Sequence, residues 1–153
     1  MRKFTLTALI AAAAVMIGLA AQPVQAGDGF AHHVVFHVDE NDAAKMNLAL
    51  NNAANVSKYY AAKGKKAQIE IVTYGPGLHM LRADTSPVKQ RLESYTLEFD
   101  NVSFAACGNT LKGMTKKEGK APPIIQSDKV NVVPSGVVQL MIRQDQGWHY
   151  IRP

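Results

Sequence analysis

Short apolar segments alternate with longer amphipathic ones along most of the chain. Five runs rich in β-branched and aromatic residues predict strands: 33–38, 67–74, 102–106, 130–133 and 148–151. Apolar residues at helical spacing predict helices between them: 42–63, 86–99, a short one after Thr110 that ends near 116, and 135–145. Strands that alternate with helices form βαβ units. We therefore expect an α/β fold, a three-layer α/β/α sandwich around a five-stranded, mainly parallel sheet.

Local signals place several boundaries. Asp42 precedes the first apolar stripe and is the expected N-cap of that helix, which Gly64 ends. The run Gly75-Pro76-Gly77 ends the second strand and is typical of a tight turn. Pro87 suits the first turn of the next helix.

The first 26 residues have the pattern of a secretory leader. Arg2 and Lys3 precede an apolar run over 6–21, and small residues at 24–26 offer a cleavage site. We predict a signal peptide at 1–26 and one mature domain at 27–153, located in the periplasm or secreted. The alternative, an uncleaved anchor, is less favoured because the apolar run is slightly short of the roughly 20 residues that span a bilayer. We expect no membrane association after cleavage.

Composition limits the partners. Hydrophobic residues make up 47% of the chain and charged residues 19%, which is typical of an ordered globular core. Removing Arg2 and Lys3 from the 17 basic residues leaves 15 against 12 acidic residues, a net charge of only +3. These basic residues are scattered and are not interleaved with aromatics, so we expect no nucleic-acid partner.

Cys107 is the first candidate for chemistry. It is the single cysteine of the chain, so it has no partner for an internal disulfide. It stands where the third strand ends and a helix begins, and a helix N-terminus favours the thiolate, the form of cysteine that attacks sulfane sulfur or binds soft metals. The alternative from the residues alone is a buried, inert thiol.

A crevice at the carboxyl edge of the sheet is the second candidate. In parallel sheets, ligands bind beyond the carboxyl ends of strands, where Asp39, Gly75, Pro76, Gly77 and Cys107 are expected. His79 and Asn109 lie close to these residues in sequence and complete the candidate binding set. An imidazole there would serve as an acid or base near neutral pH, whereas the simpler alternative is a tight turn with a surface histidine.

Two groups of residues in the sequence resemble metal ligands. In a strand His33 and His37 are about 13 Å apart, too far to chelate one ion, so we reject a site that uses them with His32. A soft-metal site of His79, Cys107 and either Met80 or Met114 stays an alternative, since these ligands suit Cu(I). The favoured interpretation includes no metal and no cofactor.

Several blocks together resemble one family. They are His37 to Glu40, Leu48 to Asn52, Tyr74 to Gly77, Ala106 to Leu111, Val133 to Val137 and Gly147 to Pro153. In order and spacing they are similar to the DsrE/DsrF-like proteins, in particular a small, uncharacterised branch, and the resemblance covers essentially the whole mature chain.

The resemblance implies a parallel α/β/α sandwich that assembles as a homotrimer or homohexamer. Better-known members carry sulfur as a cysteine persulfide in sulfur oxidation or transfer-RNA thiolation relays, which favours a functional role for Cys107. The relays of those members are cytoplasmic, whereas this chain has a predicted secretory leader. The partner proteins of those relays are therefore not expected for this chain.

We therefore expect a thiol protein that accepts or carries sulfane sulfur, with a donor or acceptor protein as a partner. It would be a carrier or sulfurtransferase rather than a conventional multi-turnover enzyme. The alternative function is a non-catalytic oligomeric module that binds a small ligand, a partner or a soft metal.

Overall fold

A computed structural model describes residues 29–153. The predicted signal peptide and the predicted start at Gly27 lie outside these residues. The five strands are β1 (His32–Val38), β2 (Ala67–Thr73), β3 (Val102–Cys107), β4 (Val130–Val133) and β5 (His149–Ile151). The helices are α1 (Ala43–Ala61), a 3₁₀ helix (Gly75–Leu81), α2 (Lys89–Glu98), α3 (Gly108–Glu118) and α4 (Gly136–Asp145).

The strands form one sheet in the order β4-β3-β2-β1-β5, and every neighbouring pair is parallel. This confirms the expected three-layer α/β fold. From β1 to β4 the chain moves across the sheet in one direction, so right-handed crossovers place α1, α2 and α3 on the same face. The step from β4 back to β5 runs the other way, which places α4 on the opposite face.

The first face, under α1, α2 and the 3₁₀ helix, carries the larger core. Its largest fully buried side chains include Phe36, Phe104, Met46, Leu50 and Ile71. The second face has a much smaller core, which consists of Val35, Val72, Ala105, Leu140 and Trp148. Helix α4 alone covers this face among the described helices, and its Val137, Val138, Met141 and Ile142 remain 43–57% exposed.

The structure confirms the expected cap of α1 and revises three boundaries. Helix α3, expected to follow Thr110 and to end near 116, begins at Gly108 and ends at Glu118. The Asp42 carboxylate accepts hydrogen bonds from the N–H groups of Ala44 and Lys45. The segment after β2 forms a 3₁₀ helix rather than only a tight turn. Its Gly77 packs against the end of β1, where an added Cβ would lie 2.2 Å from the Val38 carbonyl oxygen.

Helix α2 begins at Lys89 rather than near Ser86. The Ser86 hydroxyl donates to the Met80 carbonyl and accepts from the Val88 N–H, which keeps this segment in a turn. Within residues 29–153, no helix has the length and apolar character needed to cross a bilayer.

Candidate functional site

Cys107 lies where the connections that follow two neighbouring strands leave on opposite faces of the sheet. It is the last residue of β3 and the N-cap of α3, with Val133, the last residue of β4, beside it. The chain leaves β3 towards the first face and leaves β4 towards the second. Adjacent strands whose connections leave on opposite sides open a crevice at their carboxyl ends, the usual ligand position in this class of fold. Two helices therefore begin on either side of Cys107.

Hydrogen-bond donors from both helices surround the Cys107 sulfur. From α3, the backbone N–H groups of Asn109 and Thr110 and the Thr110 hydroxyl lie near Sγ and lower the pKa of the thiol. From α4, the backbone N–H of Gly136 lowers the pKa in the same way. Burial raises the pKa of the Cys107 thiol, but these donors outweigh burial, so the pKa lies below its ordinary value. The residue is only 4% exposed, yet its surroundings favour the thiolate, unlike those of an inert cysteine in an apolar core.

Thr110 connects the cysteine to the segment after β2. Its hydroxyl oxygen accepts a hydrogen bond of 2.9 Å from the Gly75 N–H, which leaves the hydroxyl proton for Cys107 Sγ. The predicted site residues Gly75, Asn109 and Cys107 are thus brought together, with Thr110 as their link. Thr110 stands in the Ala106 to Leu111 block of the sequence, but only the position of Gly75 shows its role.

Gly136 allows α4 to approach the thiol. A Cβ at this position would lie 2.9 Å from Tyr74 Cβ and 3.3 Å from Cys107 Cβ. Any larger residue would push the N-terminus of α4 away from the sulfur. Sequence patterns located the start of this helix at Ser135, but they did not give the order of strands that places it beside β3.

A row of polar and aromatic side chains continues from Cys107 along the same edge. Tyr74 stacks on His37 with ring centroids 4.7 Å apart and an interplanar angle of 23°. His37 Nδ1 lies 2.7 Å from the Tyr150 hydroxyl oxygen. The order Cys107, Tyr74, His37, Tyr150 follows the strand order β3, β2, β1, β5. Sequence reasoning missed Tyr74 and His37 as site residues, since their proximity depends on that order.

Asp39 lies at the other end of this row. Its carboxylate accepts two hydrogen bonds of 3.1 Å from the Arg152 guanidinium, and its Oδ2 is 3.6 Å from His37 Nε2. It shares the carboxyl edge with Cys107, as expected, but it belongs to an ion pair with the C-terminal segment rather than to the thiol's hydrogen-bond shell.

Two of the remaining predicted residues, Pro76 and His79, lie in a cleft of about 450 Å³ between the 3₁₀ helix and α3. Pro76 and His79 line one wall of the cleft, and Thr110, Met114 and Lys117 line the other. The His79 ring contacts the Thr85 hydroxyl at 3.4 Å. Gly77 is buried against β1 and has a packing role.

Two residues named for the soft-metal alternative, Met80 and Cys107, lie on opposite faces of the sheet. Met80 is fully buried in the first-face core, whereas the alternation along β3 places the Cys107 side chain towards the second face. Within residues 29–153, no three histidine, cysteine or acidic side chains are grouped closely enough to hold a metal ion. His32 stacks on Tyr60 and His33 contacts Trp148.

Comparisons with known proteins agree with this architecture. The model of the DsrE/DsrF-like family matches residues 32–153. A solved structure of a protein of unknown function from Methanobacterium thermoautotrophicum is similar at 35% sequence identity and a TM-score of 0.65. The similarity covers 80% of this chain and 99% of that one. No curated protein matches the chain.

Proposed function

Because the chain belongs to the DsrE/DsrF-like family, which is associated with sulfur relay, we propose that Cys107 accepts and carries sulfane sulfur as a persulfide. The observation that carries this proposal is the position of Cys107, which is the N-cap of α3 and packs against Gly136 at the start of α4, in surroundings that lower the pKa of its thiol. These surroundings favour a thiolate before the reaction and stabilise negative charge on sulfur during it.

The reaction is a transfer of one sulfur atom. The Cys107 thiolate attacks the outer sulfur of a donor persulfide, R–S–SH. A bond forms between Sγ and that sulfur, the donor S–S bond breaks, and the donor leaves as the thiolate R–S⁻. The proton stays on the transferred sulfur, so Cys–S⁻ and R–S–SH give Cys–S–SH and R–S⁻ with no external oxidant. Transfer to an acceptor thiolate is the same step in reverse.

The proposed location is outside the cytoplasm, in the periplasm or secreted. It rests on the charged and apolar pattern of residues 1–26. The intact mass of the exported protein should correspond to a chain that begins at Gly27, and a mass that retains the leader contradicts this.

The proposed partners are copies of the same chain, as a homotrimer or homohexamer, together with a sulfur donor or acceptor. Four exposed apolar side chains on α4, Val137, Val138, Met141 and Ile142, support self-association. Light scattering at micromolar concentration should give an oligomer, and Met141→Lys should shift it towards the protomer. A protomer mass for the unaltered chain contradicts the assembly.

The carrier function is tested on the thiol itself. After incubation with inorganic polysulfide, the protein should gain the mass of one sulfur atom per chain, and Cys107→Ser should gain none. Thr110→Val removes one donor to Sγ and should lower the rate of alkylation at neutral pH by up to about tenfold, because the thiol pKa rises.

Two controls accompany this test. Thr110→Ser keeps the hydroxyl and should restore the rate. Thr115 lies on the same helix, and its hydroxyl donates to the Leu111 carbonyl rather than to the thiol. The variant Thr115→Val should therefore leave the alkylation rate unchanged. A thiol that reacts only after denaturation contradicts the carrier and favours the non-catalytic binding module. A soft metal that binds and protects the thiol, with no sulfur added, favours the metal alternative.

A further inference from the structure

One wall of the cleft between the 3₁₀ helix and α3 is a single stripe of helix α3. Thr110, Gly113, Met114 and Lys117 form this stripe, and their spacing of i, i+3, i+4 and i+7 places them on one face of the helix. At about 1.5 Å of rise per residue, the stripe is about 10 Å long from Thr110 to Lys117. The cleft volume of about 450 Å³ is within the range of small-molecule sites, so a ligand of that length fits.

The two ends of this stripe differ in chemistry. Thr110 is at the end next to the sheet, where its hydroxyl accepts from the Gly75 N–H and lies near Cys107 Sγ. Lys117 is at the far end, where it is exposed and forms no ion pair with any residue of 29–153. The cleft therefore runs from the neighbourhood of the thiol to an unpaired ammonium group.

The acidic residue of the cleft is directed at the protein rather than at a ligand. Both carboxylate oxygens of Glu118 accept from the Arg82 guanidinium, at 2.5 and 3.0 Å, and Arg82 is buried. Lys117, His79 and Asn41 remain as side chains of the cleft that can donate a hydrogen bond to a ligand. This set of donors favours a ligand that presents acceptors, and the ammonium group favours a carboxylate among them.

We infer that this cleft binds a short, peptide-like persulfide, with a carboxylate at Lys117 and the sulfur-bearing residue beside Thr110. The inference rests on the proposed carrier function and names the class of its small-molecule donor. A span of about 10 Å corresponds to about three extended residues, since each residue adds at most about 3.3–3.6 Å, so the persulfide of a single amino acid is too short. Pro76 and Met114 supply apolar contacts along the cleft. The transfer is the step given above, with the donor leaving as the peptide thiolate.

Backbone-amide NMR with S-methylglutathione, a tripeptide that cannot transfer sulfur, tests the site without the reaction. We expect saturable shifts at Thr110, Gly113 and Lys117. Lys117→Gln should weaken binding by about two- to fivefold, which is the effect of one exposed ion pair. The diethyl ester of the same tripeptide lacks the carboxylates and should bind the variant and the unaltered protein equally. An absence of shifts at these residues, or equal affinity of both proteins for the unesterified tripeptide, overturns the inference.

Lys116→Gln is the matched control. It removes the same charge from the neighbouring position of α3, and Lys116 does not line the cleft. The affinity for the tripeptide should therefore be unchanged. An equal loss in both variants would show a general effect of charge and would contradict the contact with Lys117.

Sulfur loading separates this inference from the carrier function. Glutathione persulfide at low concentration should load Cys107, and Lys117→Gln should slow this loading by the same factor as it weakens binding. Loading by inorganic polysulfide, which is too short to reach Lys117, should be unchanged. If polysulfide loads Cys107 but loading by the tripeptide does not depend on Lys117, the carrier function stands and the inference about the cleft is wrong. If neither donor loads Cys107, the carrier function is wrong, and the NMR titration still decides whether the cleft binds the tripeptide.

Discussion

The two faces of the sheet differ in what their side chains contribute. The face under α1, α2 and α3 buries aliphatic and aromatic residues such as Phe36, Phe104 and Leu50. The face under α4 has a small apolar core and carries the polar groups: Cys107, His37 and the buried Glu70. The difference indicates that most of the folding free energy comes from the first face, while the second face is organised by directed hydrogen bonds.

The attachment of α4 illustrates this organisation. The buried Glu70 carboxylate of β2 accepts hydrogen bonds of 2.8 and 2.9 Å from Arg143, and Gln139 also donates to it at 2.9 Å. A charge-assisted pair with two parallel bonds fixes orientation as well as distance. These bonds hold α4 in the register that brings the Gly136 N–H to Cys107.

The largest expected effect contrasts a core residue with the thiol. Phe104→Ala should lower the free energy of unfolding by about 3–5 kcal/mol, because it leaves a cavity in the first-face core. Cys107→Ser should change it by no more than about 1 kcal/mol, since the volumes are similar and the serine hydroxyl can still accept the surrounding hydrogen bonds. Urea denaturation of both variants at one protein concentration measures this. Equal losses would show that stability is shared between the faces.

An intermediate effect is expected at the start of α4. Gly136→Ala should destabilise the protein by about 1–3 kcal/mol and raise the thiol pKa, because the new methyl group meets Tyr74 and forces the Gly136 N–H away from sulfur. The pH dependence of the alkylation rate reports the pKa.

Gly113→Ala is the matched control for that substitution. Gly113 lies inside α3, where an added Cβ meets nothing within 4 Å. Alanine there should stabilise the helix by about 0.5–1 kcal/mol and leave the thiol pKa unchanged. Similar changes in both variants would mean that close approach at Gly136 does not set the reactivity.

The smallest expected effect is a pH dependence of stability from His37. Burial lowers its pKa below the ordinary 6.5, Asp39 partly opposes this, and Arg152 adds to it. As the pH falls below 6.5, the unfolded chain takes up a proton that the folded chain resists, so stability decreases until the folded pKa is reached. The slope from this group is at most about 1.4 kcal/mol per pH unit. Urea denaturation from pH 7 to pH 5 should show the slope, and His37→Phe should lack this contribution.

Local chemistry in the sequence predicted much of the first face. The Asp42 cap and the stripe through Met46, Leu50 and Ala53 specify α1 without any knowledge of the remaining fold. The second face was less predictable, because it depends on pairing β5 with β1 and on returning α4 over β2. Those are long-range contacts, which no local pattern specifies.

The candidate site shows the same division. Cys107 was identified from its place between a strand and a helix, and that place is local. The groups that lower the pKa of its thiol include Gly136, which stands 29 residues later in the chain and reaches the thiol only through the strand order. Asp39 was placed at the correct edge, but its pairing with Arg152 joins residues 113 positions apart.

The placement of α4 has a consequence for the thiol. This ten-residue helix presents Val138 and Met141 to the outside, and its first residue, Gly136, packs against Cys107. The same short helix therefore carries both an exposed apolar surface and one wall of the thiol's surroundings. A substitution that displaces the N-terminus of α4 changes the environment of the sulfur as well as the outer surface of the helix.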